Sequence, residues 1–102
     1  MILNNIADKL VYKFLSKINY GYLELTTFDG EALKFGNPND KLQANILIKK
    51  PNFNYNLIRG GSIGFAESYM RGEFETNNLS NLIELTARNI EIIHKFSGLL
   101  DF

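Results

Sequence analysis

The 102 residues contain no cysteine and a single histidine, His94. That excludes thiol nucleophiles, disulfides, zinc ribbons, iron–sulfur sites and His-based metal clusters, and leaves one imidazole base. His94 falls on a helical stretch where spacing supplies no serine or carboxylate partner, so it reads as a surface residue. Glu73 and Glu75 flank Phe74. In an extended segment both would face the same way, as acid–base chemistry requires, but beside a turn the pair reads as solvated. Gly60, Gly61 and Gly64 precede a helix as a phosphate cradle would. They match neither dinucleotide nor nucleotide-triphosphate fingerprints, and are read as turn and close-packing glycines. Residues 41–59 carry Lys41, Lys49, Lys50 and Arg59 and no acid, with Phe53 and Tyr55 interleaved. Basic plus aromatic is a nucleic-acid signature. The helical spacing of Phe53 and Leu57 favours a core position with a solvated rim, which makes a weak nucleic-acid binder the least favoured reading. Lys9, Lys13 and Lys17 line one side of a helical segment beside a wide apolar face. Such a stripe can rest on an anionic bilayer, each lysine contributing about 1 kcal/mol. No residue is assigned as catalytic, cofactor-binding or metal-binding.

The chain that must position these groups is 11.7 kDa, enough for one domain over 1–102. Hydrophobic residues make up 45% and charged residues 22%, so disorder is not expected. The formal net charge is zero, which gives no bulk attraction to nucleic acid. No stretch reaches the roughly 18 apolar residues of a membrane span, and MILNNIADKL lacks a secretion pattern. The expected location is the cytoplasm. Thirteen asparagines, with abundant Ile and Lys, are read as the mark of an AT-rich coding sequence.

Apolar periodicity predicts a helix over 2–18, with Ile6, Leu10, Phe14 and Ile18 recurring every fourth residue. Strands are predicted over 22–28, 31–35 and 42–48, with Leu23 and Leu25, Leu33 and Phe35, and Leu42, Ala44, Ile46 and Ile48 inward. Asp29-Gly30 predicts a type I′ hairpin. Three antiparallel strands with one apolar face need a helical layer over it. Pro51 opens a short helix that Gly60-Gly61 ends, and Ser62 starts another that Gly72 closes. A last helix runs over about 79–97, capped by Thr76 or Asn77. It shows a broad stripe of Leu79, Leu82, Ile83, Ala87, Ile90 and Ile93, and a second of Leu85, Ile92, Phe96 and Leu99. The second stripe is expected to lie outside the core and to form an oligomer contact, a two-fold homodimer being the simplest cover.

The run from Gly60 to Glu75, GGSIGFAESYMRGEFE, resembles the GG-x-hydrophobic-G-hydrophobic-GE-[SA]-YM-x-G-x-[WF] stretch of cyclopropane-fatty-acyl-phospholipid synthases and their mycolic-acid relatives. Leu23 to Phe35 looks like that family's first hairpin, and Leu79 to Asn89 like its following helix. The likeness covers about 20–97. Arg71 stands where an acid is common, and Phe74 where tryptophan is common.

The resemblance implies the small N-terminal, non-catalytic domain of a bacterial methyltransferase, the part that engages lipid. The family's S-adenosylmethionine loop belongs to a Rossmann-like catalytic domain and has no counterpart in these residues. The chain alone is therefore expected to bind no cofactor and to catalyse nothing. The expected fold is α+β: a small antiparallel sheet covered by helices, loosely like a sterol-carrier domain, with helices at both ends. Phe65, Glu67, Tyr69, Met70 and Phe74 are the candidates for lipid or partner-domain contact. Glu67 reads as a hydrogen-bond acceptor for the Gly-Gly turn. Lys9, Lys13 and Lys17 are the candidates for a membrane surface. The expected partners are phospholipid at the inner membrane face and a catalytic domain, in cis or in trans. The alternative is a free-standing dimerisation module.

Overall fold

The computed structural model describes residues 2–98. Helix α1 spans Ile2–Leu15. Ala7 and Val11, one turn apart, are buried, with Leu15 continuing their line. The helix stops short of the expected residue 18 because its last carbonyls are taken locally. The Ser16 hydroxyl donates to the Lys13 carbonyl, the Lys17 N–H to Phe14 and the Ile18 N–H to Leu15. Lys17 thus leaves the helical stripe of Lys9 and Lys13.

Strands β1 (Tyr22–Thr26) and β2 (Ala32–Gly36) form the expected hairpin. Its turn is not type I′, since no described residue other than glycine has positive φ. Gly30 alone is left-handed, and the Thr27 N–H closes on the Glu31 carbonyl. This is the three-residue loop with a terminal glycine, which spares Asp29 a strained conformation.

Strand β3 (Gln43–Ile48) corrects the expected antiparallel sheet. It lies on the other side of β1 and runs parallel to it. Leu23 sits between Phe35 and Ala44, and Leu25 between Leu33 and Ile46. The short connection 37–42 suffices because β2 ends, and β3 begins, at the start of β1. Asp40 clamps this hop, one carboxylate oxygen accepting the Gly21 N–H at 3.0 Å and the other the Leu42 N–H at 2.9 Å. A side chain at Gly36 would place its Cβ 2.2 Å from the Gly21 carbonyl oxygen, which reserves that position for glycine.

Helix α2 (Phe53–Met70) joins the two expected short helices end to end, with a break at Gly61 (φ 56°, ψ −134°). The bend folds Gly64 against the first half, where an added Cβ would lie 2.7 Å from the Asn56 carbonyl oxygen. Gly72, at φ 71°, closes the helix as expected. The two-residue strand β4 (Phe74–Glu75) then pairs antiparallel with the end of β3. The sheet order is β2-β1-β3-β4.

Helix α3 (Leu79–Arg88) starts at neither expected cap. Asn78 caps it, its side chain accepting the Asn81 N–H at 3.0 Å. The single helix expected over 79–97 is two, for α4 (Ile90–Gly98) begins after a break at Asn89. The expected α+β class, with helices at both ends, holds, and the sheet is mixed rather than antiparallel. The core joins the inward residues of β1 and β3 to Phe53, Phe74, Leu82 and Leu85.

Candidate functional site

The break at Asn89 is made by its side chain. The amide oxygen accepts the N–H groups of Asn19 (2.9 Å) and Tyr20 (3.2 Å). The amide nitrogen donates to the carbonyls of Tyr20 (2.9 Å) and Leu85 (2.8 Å). Asn89 thereby ties the segment after α1 to the α3–α4 corner. Sequence reasoning missed it because a lone asparagine inside an apolar periodic run reads as helix.

The corner, the end of α1 and the bend of α2 surround a cavity of about 320 Å³ lined almost wholly by carbon. Phe14, Leu15 and Ile18 line it from the α1 side, and Leu57 and Phe65 from either side of Gly61. Leu82 and Leu85 are its buried floor, while Ile83, Ala87 and Ile90 are exposed at its rim. The Lys17 ammonium stands 5.6 Å from the centre of the Phe14 ring, one of the lining residues.

Of the stripe Leu85, Ile92, Phe96 and Leu99, the two residues whose side chains are described are not free surface. Leu85 is only 3% exposed and belongs to the core. Ile92 is half-buried against the cavity. The Phe96 side chain and Leu99 lie outside the described residues. On α3 Leu82 of the broad stripe and Leu85 of the second are buried together, while Ile83, Ala87 and Ile90 of the broad stripe are exposed.

Of the motif residues, Phe74 is 1% exposed and packs on Phe53 and Phe65, each with ring centres 5.0 Å away, and on Tyr69 at 5.6 Å. It is a core residue out of reach of lipid. Phe65 both stacks on Phe74 and lines the cavity, so it alone of the five joins the motif to the cleft. Tyr69 and Met70 are exposed on α2, away from it.

Glu67 is exposed, and the buried carboxylate of this stretch is Glu73, which accepts from Arg71 and Asn56 rather than from the Gly-Gly turn. The Glu73 carboxylate is buried and receives the Arg71 guanidinium at 2.9 Å and the Asn56 amide at 3.2 Å. It is therefore not half of a solvated pair with the exposed Glu75. His94 is exposed as expected. Phe53, 1% exposed, is unavailable to stack on a base, and Tyr55 is engaged by Arg59 through its hydroxyl at 3.2 Å.

The Arg71 hydrogen bond holds the Glu73 carboxyl below its ordinary range; burial opposes this, while Ser68 and Asn56 assist. The backbone N–H of Leu42, then that of Gly21, does the same for Asp40. Both folded-state values lie below the unfolded ones. Their stabilisation is therefore complete above the unfolded carboxylate range and is lost as pH falls through the folded values. We expect the melting temperature to drop below about pH 4. The deficit of the double variant Asp40→Asn/Glu73→Gln at pH 7 should shrink as the parent loses these charges. A deficit that stays constant from pH 7 to pH 3 would show that neither carboxylate carries this dependence.

A two-layer α+β domain with a carbon-lined cleft between its helices is the class that fold and site define. Residues 10–95 match the model of the family described as Domain of unknown function (DUF7884), and the chain belongs to that family. No curated protein and no solved structure matches it. Among the described residues, no helix is long and apolar enough to cross a membrane, and no group of three His, Cys, Asp or Glu is placed to hold a metal.

Proposed function

We propose that this domain engages lipid, taking an apolar chain into the helical cleft, as the non-catalytic part of a cyclopropane-fatty-acyl-phospholipid synthase-like methyltransferase. The carbon-lined cavity carries this reading. At about 320 Å³ it lies at the lower end of the volumes of small-molecule sites, roughly 300–1,000 Å³. Its lining offers almost no hydrogen-bonding group to a polar ligand. Each methylene buried there contributes about 0.8 kcal/mol, so affinity should grow with chain length. Lys17, whose ammonium lies 5.6 Å from the ring of the cleft residue Phe14, with Lys9 and Lys13 exposed on α1, would supply the charge that an anionic headgroup or bilayer surface needs. In this reading S-adenosylmethionine is held by a separate catalytic domain, and this chain's role is to present the acyl chain.

Displacement of a fluorescent fatty acid, with co-sedimentation on anionic vesicles, tests the proposal. Ala87 is exposed at the rim, so Ala87→Phe fills the opening without removing a core group. It should weaken fatty-acid binding about tenfold, or ~1.4 kcal/mol. Lys9→Gln/Lys13→Gln/Lys17→Gln should weaken vesicle association and flatten its salt dependence. Unchanged fatty-acid affinity in a folded Ala87→Phe variant would overturn the cleft as the site.

A further inference from the structure

The apolar cleft has a closed floor and a fixed capacity. A dry, carbon-lined cavity of about 150 Å³ holds a benzene ring, so a cleft of about 320 Å³ holds about twelve carbons. Leu23, Leu82 and Leu85, each no more than 3% exposed, form the floor, while Ile83, Ala87 and Ile90 stand exposed at the rim. An apolar chain therefore enters from the rim and stops against the core.

The polar atoms of the lining decide which end leads. Among the described residues, three polar side chains line the cleft: Ser62, Thr86 and Asn89. The Thr86 hydroxyl donates to the Leu82 carbonyl at 2.6 Å. The Asn89 amide is committed at both ends, to Asn19, Tyr20 and Leu85. Ser62 is exposed. A carboxylate or phosphate drawn to the floor would find no free donor, and burying it unpaired is far costlier than leaving it in water. The methyl end must lead.

We infer that the cleft takes a single acyl chain, methyl end first, encloses no more than about twelve of its carbons, and leaves the polar end outside. This deepens the reading of the cleft as a lipid site and rests on it. A diacyl lipid has two chains, each longer than that, and cannot be enclosed. A sterol's ring system alone exceeds the space. The domain therefore holds one chain of a phospholipid whose other chain stays in the bilayer, and it does not carry whole lipids through water.

The test is displacement of a fluorescent fatty acid from the whole chain by straight-chain carboxylates from octanoate to palmitate, each below its micelle-forming concentration. Affinity should rise about fourfold per methylene as far as about laurate, because each methylene passes from water to carbon. Beyond laurate it should level off, since further methylenes stay in water whether bound or free. Two substitutions should move that break in opposite directions. Ala87→Leu adds carbon at the exposed rim and should bring the break about three carbons earlier. Ile92→Ala removes carbon from a half-buried lining residue and should delay it by about three. Ala87→Leu removes no core group, so it decides the question if Ile92→Ala fails to fold. In a vesicle assay the protein should not speed passage of a fluorescent diacyl phospholipid from donor to acceptor vesicles. A fourfold rise unbroken to palmitate, or a break unmoved in folded Ala87→Leu, would overturn the ceiling and leave the lipid reading standing. Accelerated transfer of the diacyl lipid would overturn single-chain occupancy. Absence of binding at every chain length would remove the lipid reading and this inference together.

Discussion

Replacing Asn89 with leucine is expected to lower the free energy of unfolding by about 3–4 kcal/mol, because four hydrogen bonds worth about 0.5–1.5 kcal/mol each are lost together. Two N–H groups and two carbonyls, on Asn19, Tyr20 and Leu85, lose their partner in a site where Asn89 is only 4% exposed. Total stabilities run to about 5–15 kcal/mol, so this is a large fraction. The melting temperature should fall by about 15–25 °C. Asn89→Asp is expected to be nearly as damaging near neutral pH. It keeps the shape but turns an oxygen toward the carbonyls of Tyr20 and Leu85. A urea titration giving less than about 1 kcal/mol for both variants would show that the network does not hold the corner.

Phe74→Ala should cost about 3–5 kcal/mol, the range for a large aromatic removed from a packed core. The ring is 1% exposed and touches three others, so its loss opens a void bounded by Phe53, Phe65 and Tyr69. Helix α2 packs on β4 through these contacts, so the damage should centre on residues 53–75. Phe65→Ala should cost less, since Phe65 is only half-buried, yet it should disturb the apolar cleft more directly. Denaturant unfolding of both variants separates the two roles. Equal destabilisation would mean that the aromatic cluster is one cooperative unit with no division between core and cleft.

How much of this was legible follows from what each signal encodes. The alternation of Leu42, Ala44, Ile46 and Ile48 announces a strand with one buried face, and all four are buried. Alternation says nothing about which neighbour lies alongside, so the parallel pairing with β1 was not readable. The turn and packing roles of Gly61, Gly64 and Gly72 could be read because glycine marks backbone demands locally. The break at Asn89 could not, because its cause lies at Asn19 and Tyr20, on a distant part of the chain. Leu85, expected outside the core, is buried beside Leu82 one turn earlier on α3, so its assignment failed ahead of the break. Phe65, singled out through its motif, does line the cleft, whereas the buried ion pair of Glu73 with Arg71 was obscured by the apparent pairing with Glu75. Coding bias also proved an incomplete account of the asparagines. Asn45, Asn54, Asn56, Asn78, Asn81 and Asn89 all hold specific partners through their side chains.

Three of those amides act on the exposed flank of β3, where β4 covers only Leu47 and Ile48. Along the rest of that strand, the Asn81 side chain donates to the Gln43 carbonyl at 3.0 Å. Asn45 Oδ1 accepts the Thr76 hydroxyl at 3.1 Å and the Asn77 N–H at 2.8 Å, while Asn78 starts the helix that lies there. An uncovered strand border is a template for recruiting a foreign chain, the first step of fibre growth and of domain exchange. In this domain side-chain amides occupy that border in place of a fifth strand. The opposite border is β2, which is short and carries Lys34 in its middle, a charge that opposes stacking of like chains. A mixed sheet of four strands thus guards the uncovered flank of β3 and the β2 border against polymerisation without being closed into a barrel.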